Sequence, residues 1–245
     1  MNIIKLNAID STNSYLKELA QKSTLDTFTV IVANHQNSGR GQLGTTWVSE
    51  DGKNLTFSIL IGFKDFKIQD QFYLSMAVSL GLISALRRFI SVSLKIKWPN
   101  DILAEKDKIA GILIENILRG AFINYSIIGI GLNVNQEIFP SDIENVSSLK
   151  KIAGVVFNKE ELLFEILNSI KENVKFIENG AFEDLKKMYL TELYKINTPA
   201  MFQDNKGVVF LGKIISVDKN GRLVVELENE TTRKFNLKEI KFASR

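Results

Sequence analysis

Apolar residues recur along this chain with two different periods, and each period predicts a different element. Between Asp70 and Ile90, Phe72, Tyr73, Met76, Ala77, Leu80, Ile83 and Leu86 return at helical spacing while Leu74, Val78 and Leu82 fill the other side. A helix apolar nearly all round is a buried one. Leu162, Leu163, Ile166, Leu167, Ile170 and Val174 define a one-faced helix opened by Asn158, and Phe182, Leu185, Tyr189 and Leu193 another. Asp10-Ser11-Thr12-Asn13 offers capping side chains to a short helix carrying Tyr15, Leu16, Leu19 and Ala20. Strand-like runs are Phe28 to Ala33, Leu55 to Ile61, Leu94 to Trp98, Lys108 to Glu115 and Phe122 to Val134. From Thr198 the pattern changes to short β segments, with Asp218-Lys219-Asn220-Gly221 as a hairpin turn between two of them. The expected architecture is therefore α/β (α+β): a mixed β-sheet with helices packed on one side over residues 1–197, and a small β-barrel-like unit over 198–245. So short a unit must lean on the main body to complete its core.

Composition narrows the chemistry. Among 245 residues there is no cysteine and a single histidine, His35, which removes disulfides, thiol nucleophiles, Cys- or His-based zinc sites and a Ser-His triad. The net charge is +3, with no run of like charges long enough for a nucleic-acid tail. The N-terminus lacks signal-peptide architecture, and the apolar segment from Phe72 to Leu86 is short of a membrane span. A cytoplasmic protein without membrane contact is expected.

Candidate chemistry concentrates between the first two strand-like runs of the main body, in Gln36 to Trp47. Gly39, Gly41 and Gly44 leave backbone N–H groups open to close approach by a ligand. Arg40 adds a permanent planar charge for carboxylate or phosphate, and Trp47 a flat face for a ring. Gly39-x-Gly41-x-x-Gly44 matches the dinucleotide fingerprint in letters, but Thr45-Thr46-Trp47-Val48 cannot open the helix that fingerprint needs. A Walker loop fails too, since Thr45 and Thr46 stand where Lys and Ser or Thr belong. Taken alone, such a loop reads first as an ordinary glycine-rich turn. Gly129 and Gly131, inside an apolar strand, mark a bulge or the close approach of another group.

Six motifs in one order carry a resemblance. They are Ser11-Thr12-Asn13-x-x-Leu16, Gly39-Arg40-Gly41-x-x-Gly44-x-x-Trp47, Gly52-x-Asn54-Leu55, Lys97-Trp98-Pro99-Asn100-Asp101, Lys108-x-Ala110-Gly111-Ile112-Leu113 and Gly129-x-Gly131-x-Asn133. Together they resemble the biotin protein ligases, over essentially the whole chain. The resemblance implies a class II synthetase-like sheet with a C-terminal SH3-like barrel. It implies ATP and Mg2+ as co-reactants, biotin as substrate, biotinyl-5′-AMP as intermediate and a lysine of a biotin carboxyl carrier protein as acceptor. Lys108 and Arg40 are then the catalytic pair. Ser11, Thr12, Asn13, Gln36, Gly39, Arg40, Gly41, Gln42, Lys108, Gly111 and Gly131 fall on the biotin side, and Arg40, Trp47, Asn100, Lys108 and Asn133 on the nucleotide side. No dedicated protein cage for magnesium is evident; the ion is expected to arrive with the triphosphate.

The chain departs from the family pattern where Gln42 and Thr45 replace arginines, which implies looser retention of the adenylate. Ser11-Thr12 begins too early for a preceding helix-turn-helix module, so an enzyme without operator binding is expected. Two rival readings stay open at this point: a lipoate or octanoate ligase of the same superfamily, and a non-catalytic biotin sensor. A homodimer also stays open, with an exposed sheet edge as one place for it.

Overall fold

The computed structural model describes residues 1–141 and 143–243. Its main body contains β1 (Asn2–Ile9), α1 (Thr12–Lys22), β2 (Thr29–Gln36), β3 (Leu55–Lys67), α2 (Phe72–Leu86), β4 (Leu94–Lys97), β5 (Asp101–Ala104), β6 (Asp107–Arg119) and β7 (Phe122–Leu132). Three helices follow: α3 (Leu149–Ala153), α4 (Lys159–Glu178) and α5 (Phe182–Glu192). The strands form one sheet in the order β1-β2-β3-β7-β6-β5-β4. Only β1 and β2 run parallel; every other neighbouring pair is antiparallel. Sequence patterning misses β1 because no β1 residue is fully buried and no clean alternation results. It misses β5 because four residues directly after a turn leave too short a run.

Strand periodicity sorts the two faces of this sheet. Phe57, Ile59, Ile112, Ile128 and Ile130 point into one continuous core with α2, α4 and α5, which form the expected helical layer. The intervening positions of β3, β6 and β7 face the other way. There α1 covers only part of the surface, packing Leu16 against Ile31, Leu60 and Ile127. Ser11 caps α1 and accepts from the Ser14 N–H. The uncovered remainder of this second face is where polar and glycine residues collect.

The C-terminal strands β8 (Pro199–Asp204), β9 (Val209–Val217), β10 (Leu223–Leu227), β11 (Thr232–Phe235) and β12 (Ile240–Phe242) make an antiparallel five-stranded sheet. Phe202, Ile214, Leu223 and Phe235 belong to the same apolar cluster as the main body, so the small unit does lean on the larger one. The indole N–H of Trp98 donates to the Gly221 carbonyl across that junction (2.9 Å). Residues 244 and 245 of the expected unit lie outside the described residues. No described helix is long and apolar enough to cross a membrane.

Candidate active site

A cavity of about 510 Å3 opens on the second face of the sheet, a size suited to a small organic ligand. Its floor is made where β6 and β7 bring Gly111 opposite Gly131. A methyl group built on Gly131 would stand 2.2 Å from Cε2 of Trp47, and one on Gly129 would stand 2.3 Å from Oδ1 of Asn13. The glycines are thus required by what crosses above them. On Gly111 the added carbon would meet Trp47 at 3.2 Å and the Lys108 ammonium at 3.5 Å. In this state the room over Gly111 and Gly131 is occupied by the Trp47 ring. The sequence could not show it, because Trp47 reaches the floor only through the fold of its loop.

That loop closes on itself as a hairpin. The Gly41 N–H donates to the Thr45 carbonyl (2.7 Å) and the Trp47 N–H to the Gly39 carbonyl (3.0 Å). Leu43 takes a left-handed conformation at φ 51°. From the C-terminal unit, the Lys238 ammonium donates to the Leu43 carbonyl (3.1 Å). The indole N–H of Trp47 is buried and finds no acceptor among the described residues. A buried donor left without a partner is costly and suits a ligand that carries an acceptor.

One end of the cavity holds a chain of short polar contacts around the N-terminus of α1. Gln36 Oε1 accepts from the Thr12 N–H (2.8 Å) and from the Thr12 hydroxyl (3.1 Å). Ser58, fully buried in β3, lies 2.7 Å from Thr12 Oγ1 and 2.6 Å from Asn13 Oδ1. The Asn13 amide then donates to Glu115 Oε2 (3.0 Å). Ser11, Thr12 and Asn13 are themselves at least 97% occluded. These groups together supply donors and acceptors in a dry setting, which suits a neutral, hydrogen-bonding ring system.

Among the described residues five cations also line the cavity, and two of them, Lys108 and Arg40, are paired. Lys108 forms an ion pair with Asp101 (2.7 Å), and its ammonium sits 5.6 Å above the Trp47 ring. The Lys108 backbone is held on both sides, its N–H donating to the Asn145 carbonyl (2.7 Å) and its carbonyl accepting from the Ser147 N–H (3.0 Å). Arg40 donates to Ser14 Oγ and to Glu115 Oε1, both at 3.0 Å. Burial pushes the Glu115 carboxyl up, but hydrogen bonds from Asn13 and Arg40 and the charges of Arg40 and Lys17 outweigh it. The net position is below the usual glutamate range. Lys97, Lys238 and Lys241 also line the cavity and have no carboxylate partner among the described residues.

Of the residues named from sequence, Ser11, Thr12, Asn13, Gln36, Arg40, Gly41, Gln42, Trp47, Asn100, Lys108, Gly111 and Gly131 all line this one cavity. Gly39 and Asn133 do not. Gly39 faces the backbone of Trp47, where an added carbon would lie 2.2 Å from the Trp47 carbonyl oxygen. Asn133 is buried beneath the site, donating to the Ser147 carbonyl (3.0 Å), and so holds the segment that brackets Lys108. Asn100 lines the wall, although its amide is already engaged by the Ile112 carbonyl (2.9 Å). Sequence reasoning missed Ser58, Asp101 and Glu115 as site residues. Ser58 carried a usable signal, since a serine between Phe57 and Ile59 must face away from the helical layer. Among the described residues no three histidine, aspartate or glutamate side chains cluster as a metal cage. Asp101 is the carboxylate on the cavity wall.

The chain is similar in sequence and fold to known proteins. The model of the biotin/lipoate A/B protein ligase family matches residues 6–133. The chain is 28% identical over 236 residues to the bifunctional ligase/repressor BirA of Bacillus subtilis, covering 95% of this chain and 71% of that protein. Against the biotin–[acetyl-CoA-carboxylase] ligase of Mycobacterium tuberculosis it is 26% identical over 225 residues, covering 90% of this chain and 82% of the relative. Among solved structures, the biotin protein ligase from Aquifex aeolicus in complex with biotin and ATP superposes with a TM-score of 0.80 at 27% identity, covering 99% of each chain.

Proposed function

Because the chain belongs to the biotin/lipoate A/B protein ligase family, we propose that it joins biotin to protein in two steps through biotinyl-5′-AMP, with a lysine of a biotin carboxyl carrier domain as acceptor. In the first step a carboxylate oxygen of biotin attacks the α-phosphorus of ATP. The bond from that phosphorus to the bridging oxygen breaks, and pyrophosphate leaves. In the second, the neutral ε-amine of the acceptor lysine attacks the acyl carbon. AMP departs with its phosphate oxygen, and the amine gives up a proton as the amide forms.

The observation that carries this reading is the convergence of Lys108, Arg40 and the glycine floor in one cavity, together with the Thr12–Gln36–Ser58 network. The network suits the ureido ring. Lys108 lies where the carboxylate and the α-phosphate must meet, and its charge offsets the negative charge that develops there. Arg40 holds the phosphate and carboxylate portion of the adenylate, with the loop amides other than those of Gly41 and Trp47, which the hairpin already engages. Trp47 supplies the ring face for adenine, and Asn133 acts from beneath by holding the support of Lys108. Mg2+ would enter with the triphosphate, and Asp101 is the wall residue suited to hold it, since magnesium usually takes one or two carboxylates beside phosphate oxygens. Positioning and fixed charge supply the acceleration.

Biotin-dependent exchange of pyrophosphate into ATP tests the first step, with lipoate and octanoate as controls. Transfer to an apo carrier domain tests the second. Exchange is expected with biotin alone and is expected to be lost in K108A. Exchange driven by lipoate, or none with biotin, would refute the assignment.

A further inference from the structure

Glu115 is a half-buried carboxylate on β6 that the proposed mechanism does not use. Its two oxygens face different groups: Oε1 accepts from Arg40 (3.0 Å) and Oε2 from the Asn13 amide (3.0 Å), while Lys17 lies 3.9 Å from Oε1. Side-chain burial differs across the pair, with 18% of Glu115 exposed against 45% of Arg40. The carboxylate is therefore the fixed partner and the guanidinium the one being held. Asn13 fixes Glu115 in turn, through Ser58 and the N-terminus of α1.

We propose that Glu115 is the positioning residue for Arg40. Together with Ser14, it grips one edge of the guanidinium and leaves the remaining N–H groups directed at the adenylate. The physical reason is entropic. Arginine loses much rotamer freedom when fixed, and a carboxylate clamp present before the ligand arrives removes that loss from the binding step. The clamp also ties the loop to the sheet, because Arg40 bridges to Thr46 within the hairpin that carries Trp47. The same carboxylate joins Arg40 to the Thr12–Gln36–Ser58 network through Asn13. This inference rests on the reading of the cavity as the adenylate site.

The test is E115Q, which keeps the shape but removes the charge and leaves one acceptor oxygen for the two donors, Arg40 and Asn13, that Glu115 serves, with S14A as a second variant that removes the other anchor. Two measurements are made on the full chain. Hydrogen exchange of the 39–47 segment in the ligand-free protein reads the clamp directly and is expected to quicken severalfold in E115Q. Steady-state pyrophosphate exchange is expected to show KM for ATP raised about tenfold, with KM for biotin raised as well, because Arg40 meets the phosphate and the biotin carboxylate alike. Loop exchange and KM for ATP both at wild-type values overturn the proposal, as does a lowered melting temperature with neither changed. Faster loop exchange in E115Q, beside a wild-type protein that shows no biotin-dependent exchange, upholds the clamp and refutes the functional reading instead.

Discussion

Replacing Gly131 by alanine isolates what the site floor contributes. Gly131 sits in extended backbone on β7, so alanine costs nothing in φ or ψ and the whole effect arises above the strand. Its Cβ would lie 2.2, 2.5 and 2.6 Å from Cε2, Cζ2 and Nε1 of Trp47. Ordinary contact begins near 3.4 Å, so the indole must rise by about 1 Å or swing away. β7 is paired on both sides and cannot yield, whereas the Trp47 loop is a surface hairpin and can. Global stability is therefore expected to fall by about 1 kcal/mol, at the low end of overpacking costs. Activity should fall far more, since a displacement of about 1 Å in a positioned group can cost about 100-fold. Pyrophosphate exchange and thermal unfolding of G131A, W47A and the double variant form a double-mutant cycle. If the damage runs through Trp47, the double variant is no worse than W47A. Losses that multiply, or a G131A enzyme with wild-type kinetics, would refute the idea that the glycine exists to admit the ring.

Three further outcomes follow from named contacts. S58A should lose about 1–2 kcal/mol in thermal or urea unfolding, because it strips a buried partner from Thr12 and Asn13; KM for biotin should rise severalfold, and an unchanged KM would separate that network from biotin. G221A should lose about 2–4 kcal/mol by the same measurement, since φ is +82° and its Cβ would lie 2.5 Å from Phe72; a neutral G221A would contradict the packing of the C-terminal unit on α2. For Glu115 the folded-state pKa lies below 4.5. Its stabilising contribution is thus fully present above that ordinary value and is lost only as pH falls through the depressed folded value. Hydrogen exchange of the 39–47 segment, corrected for intrinsic rates, should accordingly be flat from about pH 5 to 8 and quicken only under more acid conditions. Quickening near neutrality would show that another group governs the loop.

Much of this protein is legible from residue order because local periodicity is a local property. The all-apolar run of α2, the one-sided stripe of α4 and the hairpin at Asp218–Gly221 announce themselves, since burial on one face selects residues at fixed spacing. The six ordered motifs likewise supply ten of the twelve named site residues that line one cavity, Gln36 and Gln42 being the other two. Strand β1 escaped because an edge strand exposed over most of its length is under no such selection. What residue order could not contain is which groups meet across the sheet. Trp47 over Gly131, Arg40 against Glu115, Lys108 against Asp101 and Lys238 on Leu43 join residues 84, 75, 7 and 195 positions apart. Those pairings depend on strand register and on a loop folding back, and both are decided by packing of the whole chain. Residue types therefore determined which chemistry is available, and only the tertiary structure decided which charge is held, which is free, and which ring lies on the floor.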